Sequence, residues 1–108
     1  MNNKELAKKI ASGQAPAVID VRTGFEFRAG HIPGAFNAPI WEILLRCAPL
    51  PRDKHAAMVV LCELGPRAVM ARMLPGVLGY RNITLLDGHM AQWRRTGLPQ
   101  EKRMRDEG

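Results

Sequence analysis

Val59-Val60-Leu61-Cys62-Glu63-Leu64-Gly65-Pro66-Arg67-Ala68 is the stretch on which the architecture turns. An apolar, β-branched run stops abruptly at a cysteine. Gly65 lets the backbone turn tightly and approach a ligand closely, and Pro66 suits the first position of a helix. A strand, a short loop and a helix N-terminus in that order present successive backbone N–H groups to a common point. A cysteine at the strand end of such a cradle is placed to act as a thiolate, because amide dipoles and the Arg67 guanidinium favour an anion there. Glu63 acts in the opposite sense, since a neighbouring carboxylate disfavours the anion and repels anionic substrates. A purely structural cysteine closing a buried strand is the simpler alternative. Gly65 and Arg67 in the loop weigh against it.

The flanking chain repeats the strand-then-helix pattern. Residues 2–13 read as an amphipathic helix with Leu6, Ala7, Ile10 and Ala11 on one face. Asn2 with Glu5 resembles a capping box, and Gly13 ends the helix. Ala17-Val18-Ile19-Asp20-Val21 is a continuous apolar run of the kind buried on both faces in a parallel sheet. Thr23-Gly24-Phe25-Glu26 is a second capping box, opening a short helix that ends near Gly30. His31-Ile32-Pro33-Gly34 is a turn and Ala35 to Ala38 a very short strand. Trp41 to Cys47 is helical, with Trp41, Leu44 and Leu45 on one face. Residues 57–61 form the strand that delivers Cys62. A helix follows from Pro66, interrupted at Pro75-Gly76. Ile83 to Leu86 is a fourth strand, and Asp87-Gly88-His89 leads into a last helix through Trp93. The charged residues 100–108 lack apolar periodicity and are expected to fray.

Strands alternating with helices call for a parallel sheet covered on both faces. The expected class is therefore α/β, with a central sheet of about four to five strands in a single domain over residues 1–108. The crevice of such a sheet lies at the carboxyl ends of its strands. Asp20-Val21-Arg22, the Cys62–Arg67 loop and Asp87-Gly88-His89 all follow strands. Arg22 and His89 are thus candidates for the pocket around Cys62. Asp20 and Arg22 are expected to pair and order the loops there. His31 is expected to be structural.

Bulk composition excludes several classes. The chain carries 16 Lys and Arg against 10 Asp and Glu, a net charge of +6. The basic residues are scattered and not interleaved with aromatics, so a solvated surface that attracts small anions is expected rather than a nucleic-acid site. No apolar stretch approaches the ~20 residues of a membrane helix. The N-terminus lacks a signal-peptide pattern, so a cytoplasmic protein is expected. The two cysteines, Cys47 and Cys62, do not form a metal pattern. Cys47 could resolve a Cys62 disulfide, but a packed or idle thiol is the expectation.

Three runs together resemble the single-domain rhodanese family. Ile19-Asp20-Val21-Arg22, Glu26 and Gly30-His31-Ile32-Pro33-Gly34-Ala35-Phe36-Asn37 resemble its N-terminal signature. Cys62-x-x-Gly65-x-Arg67 resembles its active-site loop. Gly79-Tyr80-x-Asn82, Leu86-x-Gly88 and Trp93 with Gly97-Leu98-Pro99 resemble its C-terminal signature. The resemblance implies a rhodanese-like fold and sulfurtransferase chemistry without metal or organic cofactor. Cys62 would take the outer sulfur of a small anionic donor such as thiosulfate, as a persulfide. It would pass that sulfur to a thiol, cyanide or protein acceptor. Glu63, Leu64, Gly65, Pro66, Arg67 and Ala68 would form the substrate-binding loop, and a monomer is expected.

This chain departs from the family pattern at five places. Glu63 stands where many thiosulfate-using members have a basic or neutral residue. Ala68 replaces a common serine, and His89 replaces the second glycine of the usual Gly-Gly. Pro75 breaks a helix, and the strand common before the first helix is absent or very short. Two competing functions are a cysteine phosphatase or arsenate reductase, and a binding module that has lost turnover. Four residues separate Cys62 from Arg67, against five in a phosphatase loop. The shorter loop favours sulfur over a tetrahedral oxyanion, and the presence of Cys62 favours turnover.

Overall fold

A computed structural model describes residues 1–44, 51–63 and 79–102. Helix α1 (Asn3–Ala11) precedes β1 (Ala17–Asp20), α2 (Gly24–Ala29), β2 (Phe36–Asn37) and α3 (Ile40–Leu44). Strand β3 (Met58–Leu61), β4 (Ile83–Leu85) and α4 (His89–Arg95) follow. The four strands form one sheet in the order β2-β1-β3-β4, and every pairing is parallel. The register sets Ile19 beside Val60 and Val60 beside Leu85. The fold is the expected α/β arrangement, with a parallel sheet of four strands.

Both helix starts are chemically signed. The Asn2 side-chain oxygen accepts from the Glu5 N–H at 2.8 Å, and its amide donates to the Glu5 carboxylate at 3.0 Å. The link back is thus side chain to side chain. At α2 the reciprocal box is complete. Thr23 Oγ1 accepts from Glu26 N–H at 3.2 Å, and Glu26 Oε1 accepts from Thr23 N–H at 3.1 Å. Each satisfies a donor that the helix itself leaves open.

Alternation along β3 divides the core. Met58, Val60 and Cys62 face one layer with Ile19, Val21, Ala38, Ile43 and Tyr80. Val59 and Leu61 face the other, with Leu6, Val18, Ile32, Leu86, Met90 and Trp93. All four residues of β3 are buried, as a central strand covered on both faces requires. Each fully buried Val, Leu or Ile contributes about 1.5–3 kcal/mol relative to exposure. No helix of the described residues is long and apolar enough to cross a membrane.

Two expectations need correction. In α3 Ile43 is buried, while Trp41 is 58% exposed. The short helix turns its Trp41 edge outward, so an aromatic in a plausible stripe did not mark the covered face. The tail does not fray at residue 100. Glu101 exchanges two backbone hydrogen bonds with His31, each 2.8 Å. Backbone pairing of this kind requires no apolar periodicity in the tail. The expected helix after Pro66, Cys47 and residues 103–108 lie outside the described residues.

Candidate functional site

Strands β1, β3 and β4 end at the same edge of the sheet, and three chain segments meet there. Val21 N–H donates to Leu61 O at 3.0 Å, and Leu86 N–H donates to Val60 O at 3.1 Å. These bonds carry the sheet registry up to the residue before Cys62. The Cys62 thiol is buried, at 1% exposure.

The Cys62 peptide is bonded on both sides by the start of α4. Its N–H donates to His89 Nδ1 at 3.2 Å, and its carbonyl accepts from Met90 N–H at 3.0 Å. Ala91 N–H donates to Glu63 O at 3.1 Å. Helix α4 has no side-chain cap at Gly88. The carbonyls of Cys62 and Glu63 instead satisfy its open amides. Residues 62 and 63 and the start of α4 therefore fix each other.

The turn into α4 is backbone-demanding. Gly88 (φ 71°) and His89 (φ 54°) are both left-handed, and His89 is the one non-glycine residue with positive φ among the described residues. A Cβ on Gly88 would lie 2.5 Å from the Gln92 Cβ, so position 88 must be glycine. Position 89 carries a smaller strain, because histidine tolerates this region better than most residues. In return the ring reaches the Cys62 amide. Burial lowers the His89 pKa below its ordinary value, and the Asp87 carboxylate only partly opposes this. The ring is thus held neutral, as its acceptor role at Nδ1 requires.

A charged network flanks the cysteine. The buried Arg22 guanidinium meets the buried Asp20 carboxylate through Nε at 3.0 and 3.1 Å and through Nη2 at 2.8 Å. Nη2 also donates to Gly30 O at 2.8 Å, and Nη1 donates to Glu63 Oε1 at 3.3 Å. Asp20 Oδ1 accepts from the Arg22 backbone N–H at 3.0 Å. Asn37 Nδ2 then ties the strand ends together, donating to Asp20 O at 3.1 Å and Arg22 O at 2.9 Å. Burial works against the Arg22 charge, but the hydrogen bond and charge of Asp20, together with the charges of Glu63 and Glu26, outweigh it, so its pKa lies above the ordinary value.

Glu63 is held between two guanidinium groups. One oxygen accepts from Arg22, and the other forms an ion pair with Arg94 on α4. Its negative charge is compensated locally, which bears directly on the objection that an acidic loop residue would repel an anion. Arg94 and Asn37 were not singled out from the sequence. Arg94 is remote from Glu63 in the chain, and no local pattern links them. Asn37 stood only inside the family-like run.

His31 is structural, as expected. Its Nδ1–H donates to Phe27 O at 2.7 Å, and its ring stacks on Phe27 with centroids 3.7 Å apart. A separate apolar groove of about 160 Å³, lined by Ala7, Ile10, Ala11, Pro33, Trp93 and Pro99, includes none of the candidate residues. Of those candidates, Cys62, Glu63, Arg22 and His89 are linked by the bonds above. Leu64, Gly65, Pro66, Arg67 and Ala68 lie outside the described residues.

With that geometry, a buried cysteine ends the central strand of a parallel sheet at the start of a loop. The rhodanese-like domain family matches residues 2–96, and the chain belongs to it. It is 36% identical over 101 residues to an HTH-type transcriptional regulator of Mycobacterium tuberculosis, covering 91% of this chain and 42% of the relative. It therefore spans less than half of that relative. It is 29% identical over 99 residues to a sulfurtransferase of Allochromatium vinosum, covering 92% of this chain and 91% of the relative. The thiosulfate:glutathione sulfurtransferase of Homo sapiens is 33% identical over 101 residues, covering 82% and 87%. Among solved structures, the Alr3790 protein of Anabaena superposes with a TM-score of 0.84 at 26% identity, covering 94% of this chain and 82% of that one.

Proposed function

We propose that the chain is a sulfurtransferase working through a persulfide on Cys62. The observation that carries this reading is the bonding of the Cys62 peptide, held by His89 and Met90 at the mouth of the sheet. Membership of the rhodanese-like family and the names of two relatives support it. A nucleophile must be held in a reproducible position to attack in line.

The reaction runs in two displacements. The Cys62 thiolate attacks the outer sulfur of a donor such as thiosulfate. A new S–S bond forms, the donor's S–S bond breaks, and its electron pair leaves with sulfite. A thiolate, cyanide or a protein thiol then attacks the terminal sulfur of the persulfide. The Cys62 thiolate is regenerated, and the product is an acceptor persulfide or thiocyanate. No oxidant is needed, and this is covalent, ping-pong catalysis. Leu64 to Ala68 would supply the amide cradle for the anionic persulfide, with Arg67 meeting the donor's charge. Arg22 and Arg94 hold Glu63 so that its carboxylate is not an uncompensated charge beside the incoming anion.

Intact-mass measurement after thiosulfate treatment tests the reading. The protein is expected to gain one sulfur, about 32 Da, on its nucleophile, and Cys62→Ser is expected to gain none. No gain from thiosulfate or any persulfide donor, together with phosphatase turnover, would overturn the proposal.

A further inference from the structure

We propose that His89 is a positioning residue which holds the Cys62 peptide through a neutral ring and releases it on protonation, so that acid moves the nucleophile out of place. The inference concerns how the proposed sulfur-transfer site is regulated, and its activity arm rests on that reading.

Cys62 N–H donates to His89 Nδ1 at 3.2 Å in a buried setting. An imidazole nitrogen accepts only through its lone pair, so the ring proton must sit on Nε2. A second proton would convert Nδ1 into a donor. Two N–H groups would then face each other, and either the ring or the Cys62 peptide must move. The ring has little latitude. His89 is the first residue of α4, its backbone is left-handed, and the next amide is already bound to the Cys62 carbonyl. Loss of the bond is therefore transmitted to Cys62.

The charged surroundings set the sensitivity. From its own turn His89 faces Asp87, whose carboxylate favours the protonated ring. The Met1 amine lies 3.8 Å from Asp87. From the loop after β3 come the Cys62 thiol and Glu63, the latter compensated by Arg22 and Arg94. Burial disfavours protonation and is the larger effect. Neutral pH thus leaves the peptide held.

Two substitutions separate this role from simple filling of space. His89→Asn places a carbonyl oxygen where Nδ1 stands, and asparagine tolerates the left-handed backbone. It keeps an acceptor but cannot be protonated. His89→Gly relieves the backbone and removes the acceptor. The residue-62 amide is followed by nitrogen-15 NMR between pH about 5 and 8, the range in which histidine changes charge. A Cys62→Ser background excludes the thiol's own ionisation. With His89 present, the residue-62 amide is expected to titrate together with the His89 ring. In the His89→Asn variant it is expected to stay constant, and in the His89→Gly variant to resemble the acid form at every pH.

Sulfur transfer in the Cys62 protein is expected to show an acid limb with a component at the midpoint of the His89 ring, and His89→Asn is expected to remove that component and leave only the thiol's own ionisation. An amide that ignores the His89 titration, or an asparagine variant that follows the same curve, overturns the inference. An amide that follows the ring in a protein that transfers no sulfur sustains the inference and overturns the proposed function instead.

Discussion

Replacing Arg22 by methionine should unfold the protein far more readily than removing any surface ion pair. Arg22 is 2% exposed and its partner Asp20 is fully buried. The substitution keeps much of the aliphatic volume but removes every N–H that the Asp20 carboxylate receives from the guanidinium. A buried carboxylate left unpaired costs about 3–5 kcal/mol. Gly30 O also loses its donor, so the upper part of that range is expected. For a domain of this size each kcal/mol lowers Tm by roughly 4–5 °C, so about 4–5 kcal/mol gives a fall of about 16–25 °C. Thermal melts followed by circular dichroism, with denaturant titrations for the free energy, would measure it. Asp20→Asn combined with Arg22→Met removes the stranded charge, and this double variant should be less destabilised than the sum of the two single changes. A loss under about 1 kcal/mol for Arg22→Met, or strict additivity in the double variant, would refute the claim that charge burial dominates here.

Other outcomes follow from the same contacts. Glu63→Gln should change stability by less than about 1 kcal/mol, because Glu63 and Arg94 are partly solvated. It should also leave KM for thiosulfate within about two-fold, because Arg22 and Arg94 already offset the carboxylate; a KM lowered several-fold at low salt, with the difference shrinking as salt rises, would contradict the compensation argument. Thr23→Ala should cost about 1 kcal/mol in a denaturant titration by removing half of the α2 box. His89 has a pKa lowered in the folded state, so the unfolded chain takes up its proton first. Its contribution is present above the ordinary histidine pKa of about 6.5 and is lost as pH falls. His89→Asn should flatten that part of the stability–pH curve.

Particular residues show why some of this was readable and some was not. The strand of residues 17–20 and the caps at Asn2 and Thr23 are short-range features. Their apolar runs and hydrogen bonds join residues at most a few positions apart, so they are visible in a linear reading. Cys62 closes the apolar run of β3 and was legible for the same reason. Trp41 misled because its stripe was too short to say which edge of α3 meets the sheet. Glu101 misled because backbone pairing leaves no mark in side-chain pattern.

Glu63 is the sharpest case. In the linear chain it is an acidic residue beside a nucleophile, and its sign argues against an anionic donor. In the folded chain, arginines from the end of β1 and from α4 compensate it. His89 likewise reads as a pocket candidate and a replaced glycine, and only the turn shows its ring on the Cys62 amide. Local sequence carries strands, caps and the cysteine that closes β3 because those depend on neighbours in the chain. The charge around Cys62, and the grip on its peptide, depend on residues tens of positions apart that only the assembled parallel sheet brings together.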